Sequence, residues 1–440
     1  MSYIQLGDIC DVVKGEIGIA KAIPGDYPLV TTGEDRKSHN KFQLDTPAVL
    51  IPLVSATGHG HASINRIHYQ EGKFAFGSIL AACVPKNKKY SAKFLHIYFN
   101  LMKDYVLVPL MKGSANVSLT LGNLKTAKVP DISLELQLKI VDLYYNIKIE
   151  LDRAKDLLND QKNDIAKLRQ SILQEAVQGK LTADWRSRHP ELISGSHHAS
   201  QLLKRIQQEK AQLIKDKKIK KEKPLPQITK DEIPYELPEG WVWCRIGDLT
   251  TIKGGKRIPK GYQLSDVESA HVYIRVTDLK KGTVISTKLK YITEDVFEMI
   301  KAYTISKDDL YITIAGTIGD VGVIPEELDN MNLTENAAKL IIYQVDKIYL
   351  KTLLSSHICQ SQFLEKINKM AQPKLALHRI SSTIIPMPSL HEQKAIVQKV
   401  NTLMGLCDAL EQQVQQSQEQ SEQLMQSCLR EVFEGKNKIN

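Results

Sequence analysis

Cysteine is scarce and scattered: Cys10, Cys83, Cys244, Cys359, Cys407 and Cys428 form no CxxC and no tight pair. This argues against a disulfide framework and for a reducing compartment, the cytoplasm. No apolar run approaches the roughly 18 residues a membrane-spanning helix needs. The start, Met1-Ser2-Tyr3-Ile4-Gln5-Leu6-Gly7-Asp8, has neither a basic n-region nor an apolar h-region, so no signal peptide is expected. His59-Gly60-His61 and His197-His198 lack cysteines or carboxylates at ligand spacing, so no metal is expected. Gln178-Gly179-Lys180-Leu181-Thr182 has the wrong spacing for a phosphate loop, and Gly316-Thr317-Ile318-Gly319-Asp320-Val321-Gly322 is not the dinucleotide fingerprint. The latter reads as a turn between strands.

What is present is ordinary in bulk and unusual in order. The chain of 440 residues exceeds one common domain, so two or three globular units are expected. Its 42% hydrophobic and 25% charged residues match a soluble globular protein. A net charge of +9 points to an anionic partner, with nucleic acid the commonest.

The chain repeats itself. Leu6-Gly7-Asp8-Ile9 returns as Ile246-Gly247-Asp248-Leu249, an offset of 240. Val129-Pro130-Asp131-Ile132-Ser133-Leu134-Glu135-Leu136-Gln137 returns as Ile385-Pro386-Met387-Pro388-Ser389-Leu390-His391-Glu392-Gln393, an offset of 256. The same offset carries Gln170-Ser171-Ile172-Leu173-Gln174-Glu175 onto Gln426-Ser427-Cys428-Leu429-Arg430-Glu431. The protein is thus a tandem duplication. Between the matched motifs each copy reads as mixed α/β, with strand-like runs Ala48-Val49-Leu50-Ile51 and Leu310-Tyr311-Ile312-Thr313-Ile314.

A long helix follows each variable domain. Ile140, Tyr144, Ile147, Leu151, Ala154, Leu158, Gln161, Ile165, Leu168 and Ile172 step by 4 and 3, as do Ile396, Val400, Leu403, Cys407, Leu410, Val414, Ser417, Ser421, Leu424 and Cys428. Such a period gives an apolar seam facing another helix. The economical solution pairs the two copies as an antiparallel coiled coil, with the globular domains at opposite ends about a pseudo-two-fold axis; parallel pairing competes. Residues 201–230 hold ten Lys/Arg against three acidic residues, read as an exposed helix and then a proline-rich stretch.

These motifs resemble the specificity subunit of type I restriction–modification enzymes over essentially the full length. Leu237-Pro238-Glu239-Gly240-Trp241 opens a recognition domain and Ile385 to Gln393 closes it. Gln174-Glu175-Ala176-Val177-Gln178-Gly179-Lys180-Leu181-Thr182-Ala183-Asp184-Trp185-Arg186 ends the first long helix. The first copy lacks the Leu-Pro-x-Gly-Trp opening, and Asp131 and Leu136 replace the more usual proline and glutamate.

The resemblance implies two tandem α/β (mixed α+β) recognition domains, each reading one half of a bipartite asymmetric site on double-stranded DNA. It implies paired helices that set the spacer and dock two adenine methyltransferase subunits, with restriction subunits joining outside. The boundaries expected are 1–136 and 237–392 for the domains, 137–200 and 393–440 for the helices, and 201–236 for the basic linker. No cofactor is expected in this chain: S-adenosylmethionine belongs to the methyltransferase partner, ATP and Mg to the restriction partner. No catalysis is expected, since the Asn/Asp-Pro-Pro-Tyr/Phe motif of such methyltransferases is absent. A coiled-coil scaffold with protein-binding ends and a fused methyltransferase–endonuclease are the alternatives.

DNA recognition needs phosphate anchors and side chains that reach base edges. In the second domain the candidates are Lys256, Arg257 and Lys260 in a basic glycine loop, with Arg257 suited to guanine. Arg275, at a strand end, and Thr317, Asn336, Lys374 and His378, in or beside loops, complete that set. In the first domain they are Arg36, Lys37, His39, Asn40, His59, Lys112 and Asn116.

Overall fold

A computed structural model describes residues 2–57, 61–114, 116–365 and 373–434. The chain divides into two compact units, one holding the residues up to Gln161 with the tail from Gln413, the other Lys162–Gln412. Among the described residues no helix is long and apolar enough to cross a membrane.

In the first unit the strand Ala48–Pro52 is buried at every position. Side chains alternate across a strand, so such a run must be covered on both faces. Val49 and Ile51 pack with Ala81, Cys83 and the helix residues Phe94, Leu95 and Tyr98. Ala48 and Leu50 pack with Val30, Phe74 and Phe76 of a second sheet. The central sheet runs Cys10–Lys14, Leu80–Pro85, Ala48–Pro52, His68–Gln70, antiparallel throughout. In the second sheet Tyr27–Val30 lies parallel to Lys73–Phe76. Tyr3–Gln5 pairs with Lys128–Pro130 just before the long helix.

The second unit repeats this plan. Its central sheet runs Thr250–Gly254, Ala337–Ile342, Leu310–Thr313, Val321–Val323, again antiparallel. Tyr273–Ile274 lies parallel to Met331–Leu333, and Val242–Arg245 pairs with Ile384–Met387. The regions whose sequences diverge most therefore share one topology. The glycine-rich run 316–322 spans the expected turn, with Gly316 and Gly319 at φ of 81° and 94°.

The long helices are Leu134–Val177 and Leu390–Glu434. In the first unit Lys155 meets Glu422 at 3.0 Å. In the second, Arg169 bonds Asp408 and Glu411 at 2.6 and 3.0 Å, and farther along the chain Thr182 and Arg186 reach Glu392. Partner numbers fall as the first segment's numbers rise, so the pairing is antiparallel. The seam departs from strict heptads. Ile140, Ile165 and Ile172 are buried, yet Leu168 is 45% exposed and Gln161 is exposed, while Lys162 and Arg169 turn partly inward. On the other helix Ile396, Val400, Cys407 and Val414 are buried, and Leu410 and Leu424 are exposed. A helix of 3.6 residues per turn drifts about 20° per heptad against a 3.5 repeat, which moves the inward position by one residue. The Cys428 side chain lies outside the described residues.

The linker helix is not freely exposed. Ala199, Leu202 and Ile206 are buried along Ala199–Lys215, and Lys210 Nζ donates to Gly247 O and Thr250 O at 2.6 and 2.8 Å. Beyond it, the buried Arg245 donates to Pro226 O and Gln227 O and pairs with Glu232. Two cations thus strap the connector to the second domain.

Candidate nucleic-acid interface

In the second domain several loop ends meet at one rim. Gly255 N–H donates to Ala337 O at 3.0 Å, Lys256 N–H to Leu333 O at 2.9 Å, and Leu375 N–H to Ile314 O at 2.9 Å. Ile314 N–H donates to Asn336 O at 2.8 Å. A side chain at Gly255 would lie 2.2 Å from Thr334 O, so this crossing requires glycine. The rim gathers Lys256, Arg257, Asn336 and Lys374, with Thr317 in the adjoining turn, where Thr313 Oγ1 donates to its carbonyl. Lys260 is exposed beyond Arg257, and His378 is exposed on the short helix Leu377–Ser381.

One residue, Glu335, organises two of the rim cations. Arg257 Nε donates to Glu335 Oε1 at 2.6 Å, and Lys374 Nζ donates to Glu335 O at 3.3 Å. Burial raises the Glu335 carboxyl, but the Arg257 bond, together with bonds from its own backbone and Thr334, outweighs it and holds the group below its ordinary range. Arg275 behaves differently from expectation. Its Nε and NH2 bond Asp278 at 3.0 and 2.6 Å, and NH2 also donates to Lys288 O at 2.7 Å. This guanidinium is spent inside the domain, lining a cleft of about 820 Å³ with Asp266, Glu268 and Lys290.

The first domain carries an equivalent rim. The Val54–Ser118 backbone bridge matches the Ala315–Lys374 bridge, with Ser118 and Lys374 again 256 apart. Lys112 and Ser118 exchange backbone bonds at 2.9 Å, closing a hairpin that exposes Lys112 and Asn116. Gly113 turns it at φ 128°. Lys37 and Asn40 are exposed on or beside the strand Lys37–His39.

Two predicted readers are engaged within the domain here, Arg36 on its surface and His39 in its interior. Arg36 donates to Gln70 Oε1, Glu34 O, His68 Nδ1 and Tyr69 O at 3.0, 3.3, 3.1 and 3.3 Å, so every nitrogen of its guanidinium is engaged. His39 is buried, with Nδ1 3.2 Å from Ile23 N. Basic, turn-rich sequence marks a loop but not the direction of its side chains. His59 lies outside the described residues.

Sequence reasoning passed over Asn65 and Arg66, which line a cleft of about 290 Å³ with Thr32 and Ser55. Arg66 pairs with Glu34 at 2.9 Å, both well exposed, and Lys103 Nζ donates to Asn65 O at 2.6 Å. The signal was a lone polar-basic pair between Ile64 and Ile67, without the glycines that drew attention elsewhere.

A family model described as type I restriction modification DNA specificity domain matches residues 1–163 and 238–420. The chain is 30% identical over 264 residues to the type I restriction enzyme EcoAI specificity subunit of Escherichia coli, covering 58% of this chain and 42% of that protein. It is also 30% identical over 280 residues to the EcoEI specificity subunit of Escherichia coli, covering 62% and 45%. The matched region thus spans less than half the length of either relative. The fold resembles the crystal structure of the HsdS subunit from Thermoanaerobacter tengcongensis, with TM-score 0.52, 14% identity and coverage of 99% and 96%.

Proposed function

The chain belongs to the type I restriction–modification specificity family, and from that premise we propose that it acts as the non-catalytic reader that tells such an enzyme where to work. Each domain reads one half of a bipartite, asymmetric double-stranded DNA site. The paired helices set the unread spacer and dock two adenine methyltransferase subunits, with restriction subunits joining outside. S-adenosylmethionine is held by the methyltransferase, ATP and Mg by the restriction subunit, in the cytoplasm of a bacterium or archaeon.

The observation that carries this reading is the duplication of the rim. The two rims share one backbone bridge, with Ser118 and Lys374 at the repeat offset, and around it stand Lys112 and Asn116 in one domain and Lys256, Arg257, Asn336 and Lys374 in the other. Exposed lysines suit phosphate anchoring, and an arginine fork or an amide suits base edges. Base-resolved adenine methylation of the host genome, with this gene intact and deleted, tests it. Loss of methylation at one bipartite motif is the expected result. An unchanged methylome beside an active methyltransferase would favour a coiled-coil scaffold instead.

A further inference from the structure

We propose that Glu335 is a specificity-determining positioning residue that aims the terminal fork of Arg257 at a guanine in the half-site read by the second domain. This rests on the reading above and goes beyond it by assigning one side chain a base and another the task of holding it.

The geometry separates Arg257 from its neighbours. Its side chain is 77% exposed, whereas that of Glu335 is 24% exposed. Glu335 is itself anchored: Oε2 accepts from Thr334 Oγ1 at 3.1 Å and lies 3.3 Å from Oη of the buried Tyr273, whose single proton is shared between this oxygen and the nearer Lys256 O at 2.8 Å. The carboxylate is thus tied to the loop that carries the arginine. Only Nε of Arg257 is engaged. Among the described residues NH1 and NH2 make no hydrogen bond, which leaves the outer edge of the guanidinium presenting two N–H groups side by side. That fork matches the N7 and O6 acceptors of guanine.

Charge decides against a phosphate. The nearby carboxylate offsets the guanidinium's charge and would repel a phosphate oxygen, while a neutral base edge carries no such penalty. Lys256 and Lys260, whose ammonium groups form no ion pair among the described residues, are the better phosphate anchors. Holding Nε also removes rotamer freedom before binding, so less entropy is lost when the fork engages.

The test is the base-resolved methylome of the host carrying the wild-type gene, Arg257→Lys, Arg257→Ala, Glu335→Gln or Glu335→Ala, scored position by position across the motif. Arg257→Ala is expected to abolish the preference for one G·C pair, and Arg257→Lys, whose ammonium reaches a guanine acceptor without the planar fork, to weaken it at that same pair. Glu335→Ala should relax preference at that same pair roughly tenfold, as expected for a weakened bidentate contact. Glu335→Gln, which keeps an acceptor for Nε, should relax it less, and all other positions should hold. Relaxation at different pairs, unchanged preference in Glu335→Ala, or a uniform loss of methylation across sequences in Arg257→Ala would each overturn the assignment. A wild-type gene that supports no motif at all would instead overturn the reading on which it rests.

Discussion

Gln393 Oε1 accepts the backbone N–H of Asp346 at 2.9 Å, joining the first turn of the second long helix to the N-cap of its domain's helix Lys347–Ser355. The first copy makes the same joint: Gln137 Oε1 accepts the N–H of Ser91, the N-cap of Ala92–Val106, also at 2.9 Å. Both glutamines are fully buried, and their Nε2 groups donate to Pro388 O and to Lys89 O and Ile132 O. The closing motif of each repeat is therefore a fastener between helix and domain.

Replacing Gln393 by Leu would keep the volume but strand the Asp346 N–H and Pro388 O in a buried place. Each unsatisfied group costs about 1–3 kcal/mol. Thermal unfolding of the full chain should lose roughly 4–8 °C in the transition that reports the second domain. An unchanged midpoint would mean that the bond contributes no net stability.

Glu392 explains why three separate sequence markers occur together. Its carboxylate accepts from Thr182 Oγ1 at 2.7 Å, Arg186 NH1 at 2.5 Å and Trp241 Nε1 at 2.8 Å, and it is fully buried. Thr182 and Arg186 belong to the segment ending the first long helix, and Trp241 to the opening of the second domain. The equivalent position in the first copy is Leu136, half-buried against that domain's apolar cluster. That copy has no Leu-Pro-x-Gly-Trp opening, so its two departures from the pattern are one: without the tryptophan, a buried carboxylate has lost a donor. Glu392→Ala should destabilise the second unit by about 3–5 kcal/mol by leaving Arg186 uncompensated. Adding Arg186→Met should recover part of that loss in denaturant titrations, and a fully additive double variant would count against the pair.

The repeat, the long helices and the markers were all legible because each is written in local spacing. The antiparallel sense was not, since a heptad seam fits either direction; it rests on distant partners such as Arg169 with Asp408. Side-chain direction at the rim was not legible either. Arg36, His39 and Arg275 lie in loop-like or strand-end sequence much like that around Arg257, yet their side chains are taken up by their own domain because His68, Ile23 and Asp278 happen to face them. The linker was misread for a related reason: Leu202 and Ile206 are two of several apolar positions in a basic run, and which of them are buried depends on a surface some 40 residues away in the sequence.

The shifted seam separates two residues that the heptad pattern treats alike. Ile165 is buried and Leu168 is 45% exposed. Ile165→Ala should cost about 2–4 kcal/mol in chemical denaturation, as a large-to-small change at a buried site does. Leu168→Ala should stay within roughly 0.5 kcal/mol, the usual range for surface changes. Equal losses at both positions would restore the strict heptad.

Acid should loosen the first domain through His68. Burial, followed by the charges of Arg36, Arg66 and His96, pushes its pKa down from 6.5 to about 4. The folded state thus favours the neutral ring, which accepts from Arg36 NH1 at 3.1 Å. Below pH 6.5 the unfolded chain binds a proton that the folded chain refuses, so unfolding gains on acidification. The contribution is complete above 6.5 and is lost as pH falls from 6.5 towards 4, an effect on the order of 2 kcal/mol. His96, also lowered chiefly by burial, acts with the same sign, so the wild type alone does not isolate His68. His68→Gln keeps an acceptor for Arg36 and removes the titration. Hydrogen exchange of the strand His68–Gln70 and its neighbours should show wild-type protection falling faster than that of the variant across this window, and parallel curves would assign the acid sensitivity to other groups.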